Sequence, residues 1–359
     1  MGMVASKKIL CFIESLEAGG SQRQIIALAS LLQRNGHHPV IVTYYPNDFY
    51  AETLDTLGIE HIFLNTSSSK LSRLRAFWKL LKKQSPDSVV SFTEASSMLL
   101  CIIRLFRHFR LIVSERNVTQ EMVHSEWLRF QLFRFADKVV CNSTSQYKFI
   151  EKNMPFLTPK TVVINNYLDT EFFKPLQAKK VSSERSLLVL ARVTPQKNLV
   201  RFIEALRMVR DDGFHLLVDW YGHHTEPYLS ECLELVSKYK LGDILHIHPP
   251  VSHVEKLYNQ YDGFCLPSIY EGFPNVVSEA LSCGVPVLCG DVCDNTLIVG
   301  ENTGNPIFNP FDVTDMKEKI EHFCTLDESQ LQAIGKANRE RALYLFSSDK
   351  HVNEYLQLM

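Results

Sequence analysis

A chain of 359 residues that is 45% hydrophobic and 22% charged, with 15 glycines and 15 prolines, excludes disordered, collagen-like and low-complexity proteins. At about 100–200 residues per domain, the length predicts two domains, each large enough for its own core. Lys+Arg 38 against Asp+Glu 40 gives a net charge of −2, but residues 1–165 carry 20 and 13, a net +7, and residues 166–359 carry 18 and 27, a net −9. Such a division turns the basic half toward something anionic: nucleic acid, a membrane surface or a phosphorylated substrate.

In chain order, short β-branched runs alternate with longer amphipathic stretches. The opening MGMVASKKILCFIESLEAGG has too short an apolar run before Glu14 for a signal peptide. Lys8–Glu14 reads as a strand, Ser21–Arg34 as a helix with Gly36 at its C′ position, and Val40–Tyr44 as the next strand. Further strands are predicted at Ile59–Leu64, Ser88–Phe92, Leu111–Ser114, Lys138–Cys141 and Thr161–Ile164. Lys70–Lys83 carries six cations and no acid, with Leu71, Leu74, Trp78 and Leu81 on one helical stripe predicted to face the core. Met98–Val113, broken by Arg104, Arg107 and Arg110, is too charged to span a bilayer but can lie on one. After a polar stretch at Lys179–Arg185, strands resume at Leu187–Ala191, His215–Tyr221, Ile244–His248, Gly263–Leu266 and Pro286–Cys289. Repeated βαβ units of this kind predict an α/β protein with two parallel sheets covered by helices on both faces. The nine cysteines include no CxxC pair, so a reducing cytosol is expected, without a zinc site or a disulfide framework.

Ligands of open α/β sheets bind at the carboxyl ends of the strands, so the loops there carry the candidate residues. In Ala18-Gly19-Gly20-Ser21, the glycines let backbone N–H groups approach an anion, and Ser21 with Gln24 fits a capping box. A tight strand-to-helix turn accounts equally for these residues, and the loop is not the GxGxxG of dinucleotide sites. Arg192 and Lys197, five residues apart around Pro195, suit a diphosphate or are two solvated surface cations. In Pro267–Leu281, a Gly272-Phe273-Pro274 turn leads to Asn275 as N-cap of a short helix closed by Gly284 and Pro286. Glu271 lies in the loop and Glu279, eight positions on, lies one turn into the helix. Amides at Val276 and Val277 make an anion seat, flanked by carboxylates able to accept from sugar hydroxyls. The plainer account makes Glu279 a first-turn acid favouring the helix dipole and Glu271 an exposed loop acid.

The segment PSIYEGFPNVVSEALSCGVPVL, with Glu271 and Glu279, resembles the E-x7-E motif of family-4 retaining glycosyltransferases, and RVTPQKN resembles that family's R-x4-K element. Val163–Phe173 is similar to its interdomain stretch, with Asn166-Tyr167-Leu168-Asp169 where N-G-V-D is commoner. Phe346-Ser347 to Tyr355 resembles the helix that returns to the N-terminal domain. The resemblance implies the GT-B fold, two Rossmann-like domains facing across a cleft. Residues 1–165 with about 345–359 would bind the acceptor, and residues 166–344 the nucleotide-sugar donor. Arg192 and Lys197 are then implied to hold the donor diphosphate, Glu271 the sugar ring and Glu279 the ribose hydroxyls. Gly272, Phe273, Pro274, Asn275 and Val276 would surround them, and Gly19 and Gly20 would meet the phosphate from the N-terminal side. Glu115 and Arg116 stand where many relatives carry a His on the sugar or acceptor side. Gly222, in Tyr221-Gly222-His223-His224, replaces the usual G-x-G, and His248-Pro249-Pro250 replaces another glycine; both departures touch the nucleotide side.

The reaction so implied moves a sugar, an N-acetylhexosamine by the wording of Glu271–Asn275, from a UDP-sugar to a glycan acceptor with retention. Bacterial surface polysaccharide or glycoconjugate synthesis is the implied setting. No D-x-D occurs, so no metal is expected at the diphosphate, and no cofactor beyond the nucleotide-sugar co-substrate. The basic half then suggests a lipid-linked acceptor and an anionic membrane surface met through residues 70–83 and 98–110, with the aromatic-basic run Trp127–Phe135 beside them. Nucleic acid is not expected, because no recognition motif accompanies the charge. The expected place is the cytoplasm, peripheral on the inner face of the plasma membrane. A nucleotide-sugar epimerase on the same fold and an inactive nucleotide-sugar-binding scaffold are the alternatives, the second opposed by intact Arg192, Lys197, Glu271 and Glu279.

Overall fold

Strand β1 (Lys8–Phe12) is buried at every position after Lys8, so both faces of its sheet must be covered. Ile9 and Cys11 join one buried cluster with Ile41, Val90, Ile112 and Val140, while Leu10 and Phe12 join another with Val40, Val42, Val89 and Leu111. The computed structural model describes residues 5–66, 69–116, 119–176, 184–251 and 253–359. Asn117 and most of the polar stretch at Lys179–Arg185 lie outside these residues.

The chain forms two units, Met1–Tyr167 with Ser348–Met359, and Leu168–Ser347. In the first, β1 is followed by α1 (Gly20–Arg34), β2 (His38–Thr43), α2 (Ala51–Leu57), β3 (Glu60–Phe63) and α3 (Lys70–Gln84). Then come β4 (Ser88–Ser91), α4 (Glu94–Arg104), β5 (Arg110–Glu115), α5 (His124–Phe133), β6 (Lys138–Cys141), α6 (Thr144–Asn153) and β7 (Thr161–Val163). The strands form one parallel sheet in the order β3-β2-β1-β4-β5-β6-β7.

The second unit runs β8 (Arg185–Leu190), α7 (Leu199–Asp211), β9 (Leu216–Tyr221), α8 (Tyr228–Lys238), β10 (Leu245–His248) and α9 (Val254–Tyr258). It continues with β11 (Gly263–Leu266), α10 (Asn275–Ser282), β12 (Val287–Gly290), α11 (Asn295–Val299), β13 (Ile307–Phe308), α12 (Val313–Thr325) and α13 (Glu328–Leu345). Its sheet, also parallel, has the order β10-β9-β8-β11-β12-β13. The two-residue β13 was not among the predicted strands; it is too short to show a period. The last helix, α14 (Ser348–Leu358), belongs to the first unit, where Val352, Tyr355 and Leu358 complete the cluster on the α1 side.

Three local expectations are corrected. Gly19, not Ser21, caps α1 and makes no side-chain bond there. Gln24 is instead buried against the end of its own unit, donating to Tyr167 O at 2.8 Å and accepting from Tyr167 N at 2.7 Å. Pro274, not Asn275, is the N-cap of α10, because the Asn275 N–H turns back to Phe273 O at 2.9 Å and Asn275 starts the helix. Helix α3 buries Arg73, Phe77, Leu80 and Leu81, leaving Leu71 and Trp78 54% and 38% exposed. Phe77 decides this rotation by packing on Phe12 at 4.8 Å and Tyr44 at 5.6 Å. Trp78, one residue on, is turned by about 100° from that contact.

Candidate functional site

Strand order in the second sheet reverses direction between β8 and β11, the kind of switch point at which open α/β sheets hold ligands. The two loops that leave the carboxyl ends of these strands are the segments with Arg192 and Lys197, and with Glu271. They are laced together. Ile269 N donates to Gln196 O at 3.0 Å and Gln196 Nε2 to Tyr270 O at 3.0 Å. Buried Asn198, at φ 64°, donates from Nδ2 to Pro267 O at 3.0 Å and Pro310 O at 2.7 Å. Asn and Asp tolerate this left-handed backbone better than branched residues, so Asn198 both makes the turn into α7 and ties it to the loop after β11.

Lys197 forms an ion pair with Glu271, with side chains only 12% and 11% exposed. The Glu271 N–H also points at Cys293 Sγ, 3.2 Å away. Arg192 is exposed at the end of β8. Glu279 is buried in α10 and accepts from the Tyr258 hydroxyl at 2.9 Å, a hydroxyl that also lies 3.2 Å from Val276 O. Tyr258, at the end of α9, positions this carboxylate, and no sequence signal marked it. Phe273 and Pro274 are buried, while Gly272, Asn275 and Val276 are half-buried around the mouth of the loop. The expected anion seat is narrower than the sequence implied, since the Val277 N–H donates to Pro274 O at 3.1 Å.

Gly222 follows β9 and has a packing reason of its own. A Cβ there would stand 2.0 Å from Ala191 O, the atom that accepts from Trp220 Nε1 at 2.8 Å. Only glycine allows the β8 and β9 exits to approach this closely.

The remaining candidates lie in the first unit. Gly19 and Gly20 open α1 at the carboxyl end of β1. Glu115, the last residue of β5, is fully buried beside Arg129, 3.0 Å away. Arg129 also pairs with Glu94 at 2.6 Å and with Glu126. One guanidinium shared by three carboxylates leaves the most buried of them undercompensated, and burial pushes the Glu115 carboxyl up to about 8. Arg116 donates to Asn166 Oδ1 at 2.7 Å and to the Tyr355 hydroxyl at 2.6 Å, with its guanidinium 3.9 Å from the Phe92 ring centre. Those contacts join β5 to the end of the first unit and to α14, which is a structural use of a residue expected on the acceptor side.

Residues 172–341 match the sequence model of the family described as Glycosyl transferases group 1, and residues 18–172 match that described as Glycosyltransferase Family 4. The chain is 24% identical over 295 residues to the amylovoran biosynthesis glycosyltransferase AmsD of Erwinia amylovora, covering 79% of this chain and 81% of that one. It is 25% identical over 289 residues to an alpha-1,4-N-acetyl-D-galactosaminyltransferase of Campylobacter jejuni, covering 76% of each; that protein's name specifies a PP-undecaprenol-linked acceptor. Among solved structures it is similar to Anabaena Alr3699/HepE, determined with UDP and glucose, at a TM-score of 0.82 and 17% identity over 98% of both chains.

Proposed function

Because this chain belongs to the GT-B glycosyltransferases of family 4, we propose that it transfers a hexosyl group, an N-acetylhexosamine, from UDP to a lipid-diphosphate-linked glycan with retention, in the assembly of a bacterial surface polysaccharide. The observation that carries this is the pairing of Lys197 with Glu271 across the switch point of the second sheet. A cation and a carboxylate held together there serve the two ends of one donor: the cation the diphosphate, the carboxylate the hydroxyls of the sugar. The UDP and glucose of the Anabaena protein and the lipid-linked acceptor named for the Campylobacter protein support the choice of donor and acceptor.

In the proposed reaction the acceptor hydroxyl attacks the anomeric carbon on the face the diphosphate leaves. The bond from that carbon to the diphosphate oxygen breaks, and the acceptor's proton passes to the departing phosphate. No protein nucleophile and no metal take part. Arg192 and Lys197 meet the charge that develops on the leaving group; Arg192 forks onto two oxygens and Lys197 acts as a point charge. Glu279, held by Tyr258, accepts from the ribose. The enzyme works in the cytoplasm, against the inner face of the plasma membrane.

Removing one such preorganised donor costs about 3–4 kcal/mol of transition-state stabilisation. Arg192→Ala and Lys197→Ala should therefore each lose on the order of a hundredfold or more in turnover while keeping the wild-type circular dichroism spectrum. Transfer of radiolabelled sugar from UDP-N-acetylhexosamine to a panel of lipid-diphosphate-linked acceptors measures this. Near wild-type turnover in either variant removes the site assignment, and a trapped glycosyl-enzyme removes the mechanism.

A further inference from the structure

Away from the loops at the switch point, the half-open face of the β9–β10 pair holds a second cluster of side chains. Asp219 on β9 sits directly opposite His246 on β10, and Tyr221 opposite His248. Because side chains alternate across a strand, Asp219, His246 and His248 share one face, whereas Leu216, Val218 and Trp220 bury into the core on the other. His248 Nε2 lies 2.6 Å from Asp219 Oδ1 and His246 Nδ1 lies 3.4 Å from the same oxygen. One oxygen and two imidazole nitrogens, from residues of two adjacent strands, thus converge within 4.8 Å of one another.

The surroundings fix this geometry. The Tyr261 hydroxyl donates to Asp219 Oδ2 at 2.8 Å, leaving Oδ1 directed at the histidines. The ring of His248 stacks on that of Tyr221, with centroids 4.5 Å apart and planes 18° from parallel. A carboxylate oriented by an outer hydrogen bond and an imidazole held by packing are how metal ligands are supported in proteins. Two imidazoles and one carboxylate suit zinc, which takes nitrogen at about 2.0–2.1 Å and oxygen at about 2.0–2.2 Å, placing neighbouring ligand atoms about 3.3 Å apart around a tetrahedral centre. The His246–Asp219 spacing of 3.4 Å is already there. The His248–Asp219 spacing of 2.6 Å reaches it by a movement of about 0.7 Å.

We propose that Asp219, His246 and His248 bind one zinc ion, with Tyr261 as the positioning residue for the carboxylate. The site shares no residue with Arg192, Lys197, Glu271 or Glu279. It ties β10, an edge strand, to β9 through side chains as well as through the backbone. It also abuts the turn at Gly222, whose N–H donates to His248 O at 3.2 Å. A zinc there holds that turn without entering the transfer reaction.

Cobalt(II), a spectroscopic stand-in for zinc, tests this on the full chain after chelation and dialysis. One equivalent should bind and give visible d–d absorption without the near-ultraviolet charge-transfer band of a thiolate, so the nine free cysteines are distinguished from the site. Competition by zinc should bleach the visible bands. His246→Ala and His248→Ala should each weaken binding at least about tenfold, and Tyr261→Phe, which keeps all three ligands, by about tenfold as well. Thermal melts without metal establish that each variant is folded. The proposal is overturned by the absence of saturable binding, by thiolate bands, or by affinity unchanged in both histidine variants. Transfer activity plays no part in this readout, so it stands or falls apart from the transferase function.

Discussion

At the scale of single residues, the contacts of Glu279 and Glu115 exist only once separate elements pack together. Arg192, Lys197, Glu271 and Glu279 stood out by type and spacing. Tyr258 did not, because a tyrosine at the end of a short helix has no pattern, and its bond to Glu279 exists only once α9 and α10 are packed. Glu115 shows the same limit, since its three-carboxylate neighbourhood comes from α4, β5 and α5 together. Its raised titration has a consequence for stability. A carboxyl at about 8 in the folded chain and near 4.5 in the unfolded one keeps its proton longer when folded, so its contribution is complete below pH 4.5 and is lost as pH rises through 8. His351, buried and lowered to about 3 from 6.5, works in the other sense and costs stability as pH falls below 6.5. The two oppose each other between about pH 4.5 and 6.5, and Glu115 acts alone above that. The melting temperature should fall from pH 6.5 to 8, with a slope of at most about 1.4 kcal/mol per pH unit from this one group. Glu115→Gln, which is neutral throughout, should flatten that limb. An equal slope in both proteins would show that Glu115 is ionised in the folded state.

At the scale of elements, strands were legible and helix rotations were not. A parallel strand buried on both faces is largely a run of apolar residues, so β1, β11 and β12 announce themselves. The orientation of α3 depends on which of several apolar residues finds the deepest seat; Phe77 does, and Leu71 and Trp78 turn outward. Likewise, of the run Trp127–Phe135, Phe130, Phe133 and Arg129 are core residues of α5, while Trp127 and Leu128 remain exposed. Helix α14 combines both kinds of anchor. Burying Val352 and Leu358 is worth about 1.5–3 kcal/mol each, more than the net 0.5–1.5 kcal/mol of an ordinary hydrogen bond. Apolar burial therefore docks the helix, and the polar contacts set its register: Arg116 to the Tyr355 hydroxyl, and Arg110 Nε to Leu358 O at 2.8 Å. Tyr355→Phe keeps the ring and deprives a buried guanidinium of a partner, so it should destabilise the chain by about 1–3 kcal/mol. Urea denaturation measures it. An unchanged midpoint would mean that Arg116 finds another acceptor.

At the scale of the whole molecule, the division of charge seen along the sequence carries over, almost undiminished, to the two structural units. Met1–Tyr167 with Ser348–Met359 carries 21 Lys+Arg against 15 Asp+Glu, a net +6, and Leu168–Ser347 carries 17 against 25, a net −8. Not all of the positive charge is available to a partner. Arg129 is enclosed by carboxylates, Arg104 and Arg110 approach Asp137 at 3.3 and 3.9 Å, and Arg107 donates to Leu81 O at 3.3 Å. On α3, Lys70, Arg75, Lys79, Lys82 and Lys83 are exposed, and they accompany exposed Leu71 and Trp78 on the same helix. Leu105 and Phe106, 50% and 75% exposed, follow α4. Among the described residues no helix is long and apolar enough to cross a membrane. Apolar side chains among lysines instead suit attachment to an anionic lipid surface, with attraction of about 1 kcal/mol per basic residue near the headgroups. The chain should float with vesicles containing phosphatidylglycerol and not with neutral ones. Because the Debye length shrinks from about 10 Å at 0.1 M salt to about 3 Å at 1 M, the bound fraction should fall steeply over that range. Replacing Trp78 and Phe106 by serine should weaken flotation without altering net charge, whereas Lys79→Gln with Lys82→Gln and Lys83→Gln should weaken it and remove most of its salt dependence. Flotation indifferent to salt and to all five substitutions would leave the basic unit's charge without a lipid partner.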